Sequence, residues 1–168
     1  MELEERVAEL ERRMAALEGA ERPVPEAVDA TFWALEGLKA DLAGAGERGE
    51  DGGVLFTGSV RLPTDERYEW QFGALTERLL DEEWAETADS FAALGHPVRL
   101  RLLREILGGR RTAAGLAELA EIGTTGQIYH HLRQLTGAGW LHATGRGRYE
   151  VPAARVVPLL VMLTAARP

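Results

Sequence analysis

Between positions 124 and 149 the chain runs TTGQIYHHLRQL, then GAGWL, then HATGRGRY. Gln127 carries a donor and an acceptor side by side, which suits the edge of an adenine, and the methyl of a threonine such as Thr125 suits that of a thymine. Arg146 and Arg148 flank a glycine in TGRGR. Guanidinium groups so placed can neutralise phosphate or enter a minor groove. Arg99, Arg101, Arg110, Arg111 and Arg133 add candidates for phosphate contact, of which roughly half would be ordinary solvated arginines. Covalent chemistry is poorly served. Ser59 and Ser90 are the only serines, and neither lies in a nucleophile motif. No glycine-rich loop has the spacing of a phosphate cradle. Asp81, Glu82 and Glu83 read as a solvated helix face. With no cysteine there are no disulfides or thiolate metal sites. His130 and His131 are adjacent, so on a helix they diverge by about 100°; His131 is expected behind that helix, and His96, before Pro97, at a helix start. We expect no catalytic residues, no cofactor and no metal site.

These side chains need elements to hold them. Leu100, Leu103 and Leu107 recur at helical spacing, and Leu116, Leu119 and Ile122 form a second stripe. Gly123 and Thr124 break the pattern, and Ile128, Leu132 and Leu135 restart it. Trp140–Ala143 and Tyr149–Val151 flank the TGRGR turn as a short hairpin. Helix, helix, turn, helix and hairpin make a helix-turn-helix with a wing, an arrangement that sets one helix into a DNA major groove. Charge supports this independently. Residues 1–90 hold 9 Lys+Arg and 23 Asp+Glu, a net of −14, whereas residues 91–168 hold 10 and 4, a net of +6, within an overall −8. A basic module joined to an acidic one fits a local phosphate-binding face.

The segments ALGHPVRLRLL at 93–103, TTGQIYHHLRQL at 124–135 and GAGWL at 137–141 resemble the ArsR-type (arsenic repressor-like) winged-helix regulators. The resemblance covers roughly 75–168. It departs from the family in having no cysteine, which many metal-sensing members use, and in its long N-terminal half. It implies that Thr125, Gln127, Tyr129 and His130 face outward for base readout while Ile128 and Leu132 face inward. Each of the four could instead touch phosphate or solvent. Thr124, Arg110, Arg111, Arg133, Arg146 and Arg148 become the backbone and wing contacts. It also implies a dimer of terminal helices, one over 75–93 and one over 153–166, with Leu80, Trp84, Leu159, Leu160 and Leu163 at the interface. Pro158 suits only a first turn, so the regular last helix is expected to start near it.

Upstream, Leu3, Val7, Leu10, Met14 and Leu17 alternate at spacings of four and three, a heptad seam. Its flanking charges, Arg6 to Glu11 and Arg13 to Glu18, favour a parallel homotypic pair; the other reading is an amphipathic helix packed on its own chain. A helix is expected over 23–43, with Val28, Phe32, Leu35, Leu38 and Leu42 on one face, then a polar linker over 44–53. Residues 54–62 and 68–72 alternate as a β-hairpin around the PTDE turn. Phe56, Tyr68, Trp70 and Phe72 share its apolar face, either as a small core or as a pocket for a small, flat apolar effector.

The expected fold is thus mostly α with small β, an α+β chain in three parts: a coiled-coil helix at 1–19, a helix plus hairpin at 20–73, and a winged helix-turn-helix at 74–168. Its expected partners are double-stranded DNA, a second copy of itself and an apolar effector. The charged start has no secretory signal and no apolar run approaches the ~20 residues of a membrane span, so a cytoplasmic location and no membrane partner are expected. A protein–protein adaptor built on the same winged helix and coil is the alternative function.

Overall fold

The computed structural model describes Arg6–Val7 and residues 32–119 and 123–167. Arg6 and Val7 are helical, with Val7 exposed. Leu3, Leu10, Met14 and Leu17 of the expected seam lie outside the described residues. The elements run α1 (Trp33–Gly44), β1 (Gly53–Arg61), β2 (Arg67–Leu75), α2 (Thr76–Asp81), α3 (Ala88–Leu94), α4 (Pro97–Leu107), α5 (Ala113–Ala117), α6 (Thr125–Gly137), β3 (His142–Gly145), β4 (Arg148–Glu150) and α7 (Ala153–Ala165). Two-stranded antiparallel ladders, β1–β2 and β3–β4, complete a mostly helical chain. Among the described residues, no helix is long and apolar enough to cross a membrane.

One core serves α3 to α7 and the tip of the first hairpin. Leu102, Leu103 and Ile106 of α4, Leu116 of α5 and Ile128, Leu132 and Leu135 of α6 are buried in it, as are Trp140, Val156 and Leu159. These are the apolar positions of each helical repeat, so the amphipathic pattern decides which faces meet. His96 starts α4 by accepting the Val98 N–H at Nδ1 (3.2 Å), and Pro97 follows in the first turn, where its missing N–H costs nothing.

The first hairpin has the expected aromatic face. Phe56 faces Phe72, Gly58 faces Trp70 and Val60 faces Tyr68, so all four aromatics share a face. What covers that face is α7. A Cβ on Gly58 would sit 2.6 Å from Val157 Cγ1, so only glycine lets the strand lie this close to the helix. The cover is partial, since Trp70 and Phe72 remain exposed.

The helix expected over 23–43 is described from its N-cap Phe32 onward, as α1, and residues 23–31 lie outside the described residues. Two expectations are corrected. The single helix expected over 75–93 is three pieces: α2, a 3₁₀ turn at Trp84–Thr87, and α3. Glu82 and Glu83 are extended between them, the Glu83 carboxylate accepts the Ala85 N–H, and the Trp84 indole donates to the Leu79 carbonyl at 2.7 Å. Side-chain capping of a new turn outcompetes continuation through three adjacent acidic residues. Finally, α7 starts at Ala153, before Pro158, which sits inside the helix. Burial of Val156 and Val157 in the core offsets the lost hydrogen bond.

Candidate nucleic-acid interface

Helix α6 is split cleanly. Ile128, Leu132 and Leu135 are fully buried, while Thr125, Gln127, Tyr129, His130, Arg133 and Gln134 are exposed. The outward set expected from the sequence is therefore outward. The helix start is fixed by a capping box. The Thr124 hydroxyl accepts the Gln127 N–H (3.4 Å), and the Gln127 Oε1 accepts the Thr124 N–H (2.8 Å). Thr124 is thus a cap whose side chain faces its own helix. Gln127 has its acceptor engaged, so bidentate pairing with a base requires opening the box; its amide donor stays available.

The wing beside it turns through Arg146 and Gly147, both left-handed at φ 50° and 69°. Positive φ at both central residues matches the twist of the strands they join. The wing is stitched to α5 by a Thr112–Arg148 bridge and by the Ala113 N–H donating to the Gly147 carbonyl at 2.9 Å. Arg146 and Arg148 are both exposed at this tip.

The remaining arginines divide. Arg133 is exposed on α6. Arg99 is structural: it donates to the carbonyls of Ala92 (2.7 Å) and Ala93 (2.5 Å) and to Gln134 Oε1 (2.5 Å), tying α3 to α6. Arg110 pairs with Glu105 at 3.4 Å while staying partly exposed. Arg111 is a correction to the expected backbone contacts: its side chain is only 16% exposed and is held by Glu66 and, at 3.5 Å, by Glu150. Glu66 gave no signal in the sequence beyond turn chemistry, because its partner lies far along the chain.

The histidines cluster. The His131 ring lies 4.7 Å from that of His96 and 5.7 Å from that of His130. Burial, then the nearby His96, Arg99 and His130, hold the His131 imidazole below its usual 6.5, and its Nδ1 is buried without a partner. Among the described residues, no group of three His, Cys, Asp or Glu is placed to hold a metal. The charged form is disfavoured in the folded chain, so the unfolded chain takes the proton first. Stability is intact above the usual 6.5 and falls as the pH drops through it. We expect His131→Gln to lose less stability than the wild type between about pH 7 and about pH 5 in urea melts. Equal losses would show that His131 is not the group responsible.

Capped helix, buried face, outward polar face and basic wing are the parts of one known module. Residues 94–141 match the family model for a helix-turn-helix domain. The chain carries a helix-turn-helix domain. A relative from Streptomyces lividans, named as a probable mercury resistance operon repressor, is 39% identical over 79 residues, which is 45% of this chain. The match spans 62% of that relative's length. No solved structure matches the chain. The described α4, α5 and α6 fall within or across the matched residues, and the family model ends at Leu141, before the wing.

Proposed function

We propose that this chain is an ArsR-type transcriptional repressor that binds an inverted-repeat operator as a homodimer. The observation that carries the reading is the exposed polar face of α6 lying in the same module as the exposed wing arginines, in the basic half of an otherwise acidic chain. In this reading α6 enters the major groove, with Thr125, Gln127, Tyr129 and His130 toward base edges. Arg133, Arg146 and Arg148 take phosphate or minor groove. The name of the Streptomyces relative supports repression as the sign of control. With no cysteine in this chain, thiolate capture of a soft metal is not available to it as an input.

The dimer reading draws on exposed apolar side chains. Leu80, Trp84, Phe91 and Leu163 are all exposed. Phe91 and Leu163 line one apolar groove of about 490 Å³ together with Leu94, Leu100 and Met162. A second copy of the chain is the occupant this reading places there. Leu159 does not belong to that surface, because it is 1% exposed within its own core. An apolar effector would take the groove of about 450 Å³ between β1 and α7, lined by Phe56, Gly58, Val60, Val157, Leu160 and Val161. Of the four aromatics expected to form a pocket, only Phe56 lines it.

Selection of binding sites from a random duplex library tests the proposal. The expected product is an inverted repeat with half-sites about one or two helical turns apart. A single asymmetric site would contradict the dimer. No enrichment at all would favour the adaptor.

A further inference from the structure

The tip of the β1–β2 hairpin is seated against the loop between α4 and α5 and is linked to the wing through Arg111. Leu62, at the end of β1, is 7% exposed in the common core. The tip is closed by the Leu62 N–H donating to the Glu66 carbonyl at 2.9 Å and the Asp65 N–H to the Leu62 carbonyl at 2.9 Å. The Thr64 methyl lies 3.0 Å from where a Cβ on Gly109 would stand, so the tip touches the loop between α4 and α5. From this tip the Glu66 carboxylate accepts a hydrogen bond from the Arg111 guanidinium and another from the Thr64 hydroxyl at 2.6 Å. Those two bonds hold its carboxyl below the usual carboxylate range, so it is charged at neutral pH. The other arm of Arg111 reaches Glu150 of β4 at 3.5 Å. The backbone of Arg111 joins the same strand, because its carbonyl accepts the Tyr149 N–H at 2.8 Å. Arg111 therefore holds hairpin and wing by three separate links, and its Nε is buried without a partner.

We propose that the β1–β2 hairpin is a brace for the DNA-binding wing, with Arg111 as the positioning residue and Glu66 as the anchor that holds it. A two-stranded wing of this size has little order of its own. Its angle to α6 is set by what it is tied to. In this chain one tie runs through a side chain from the N-terminal half, so whatever shifts the hairpin shifts the wing. The proposal rests on the reading that α6 and the wing bind DNA, but its structural half does not.

Two measurements test it. The first is amide hydrogen exchange over residues 142–150 in the absence of DNA, and the second is affinity for a duplex. Glu66→Gln is compared with Glu69→Gln, which changes net charge equally but lies exposed on β2, against Ser59 of the same hairpin at 3.4 Å. Field effects alone would make both variants bind DNA slightly tighter. The brace predicts faster exchange in the wing and about fivefold weaker binding for Glu66→Gln only, a size ordinary for couplings of this kind. Arg111→Lys keeps the charge and loses the fork, and is expected to move both readouts the same way. Wing exchange in Glu66→Gln that matches Glu69→Gln overturns the brace. Tighter binding by Glu66→Gln than by Glu69→Gln also overturns it and makes Arg111 a masked phosphate ligand. If the wild type binds no duplex, the DNA reading fails, while wing exchange still decides the brace.

Discussion

Trp140→Ala should lower stability by about 3–5 kcal/mol, among the largest losses available to a single substitution here. The indole is 1% exposed. Its Nε1 donates to the carbonyl of Ser90 at 3.2 Å and lies 3.1 Å from the Ser90 hydroxyl. The Arg155 guanidinium stacks 4.8 Å from the ring centre. The backbone N–H of Trp140 donates to the Leu135 carbonyl at 2.9 Å, which closes the end of α6. One residue thus ties α3 and α7 through its side chain and α6 through its backbone, just before the wing. Removing the side chain leaves a cavity and takes the indole donor away from Ser90. Trp140→Phe keeps most of the volume and should cost only about 1 kcal/mol beyond repacking, for the lost hydrogen bond. Chemical denaturation of the two variants checks this. An alanine variant within about 1 kcal/mol of the wild type would mean that the three helices do not depend on this contact.

Replacing both Arg146 and Arg148 with Ala should weaken duplex binding by a similar factor on specific and random sequences. It should also flatten the dependence of affinity on salt by about one or two units of logarithmic slope. Both side chains are exposed at the wing tip, so stability should hardly change. The backbone ties from Thr112 and Ala113 to the wing do not use them. Gln127→Ala should behave differently. It removes the amide donor and half the capping box, so it should cost helix stability as well as sequence preference. Affinity measured at several salt concentrations on a selected and a scrambled duplex separates the two. A double arginine variant with an unchanged slope would place the phosphate contacts elsewhere.

Much of the fold was legible because period and burial agree. Leu103, Ile128, Leu132 and Leu135 are apolar at helical spacing and all are buried, although the buried face of α4 is Leu102, Leu103 and Ile106, with the expected Leu100 and Leu107 only partly buried at its edge. The aromatic face of the hairpin followed from alternation around one turn, and the outward face of α6 followed from the inward one. The failures share a cause. Spacing alone runs a helix from 75 to 93, but Glu83 and Trp84 cap and turn the chain locally. Arg111 looks like any basic residue before a recognition helix until Glu66, 45 positions earlier, is brought to it by the hairpin. Separation onto different elements likewise hid Arg155 over Trp140. Leu159 belongs to an all-apolar segment, and no period says which of its sides meets its own core and which faces outward. Long-range charge pairing and the choice among apolar faces are decided by tertiary packing, which a single sequence does not display.

If α6 and the wing form a DNA-binding face, salt titration of wild-type binding must show it. The full chain and a fluorescent random duplex are mixed at several ionic strengths, and the logarithm of affinity is plotted against that of salt. A straight line of clear negative slope is expected, with Arg133, Arg146 and Arg148 contributing about one unit each. Duplex binding that is absent at low salt, or present but insensitive to salt, would contradict it.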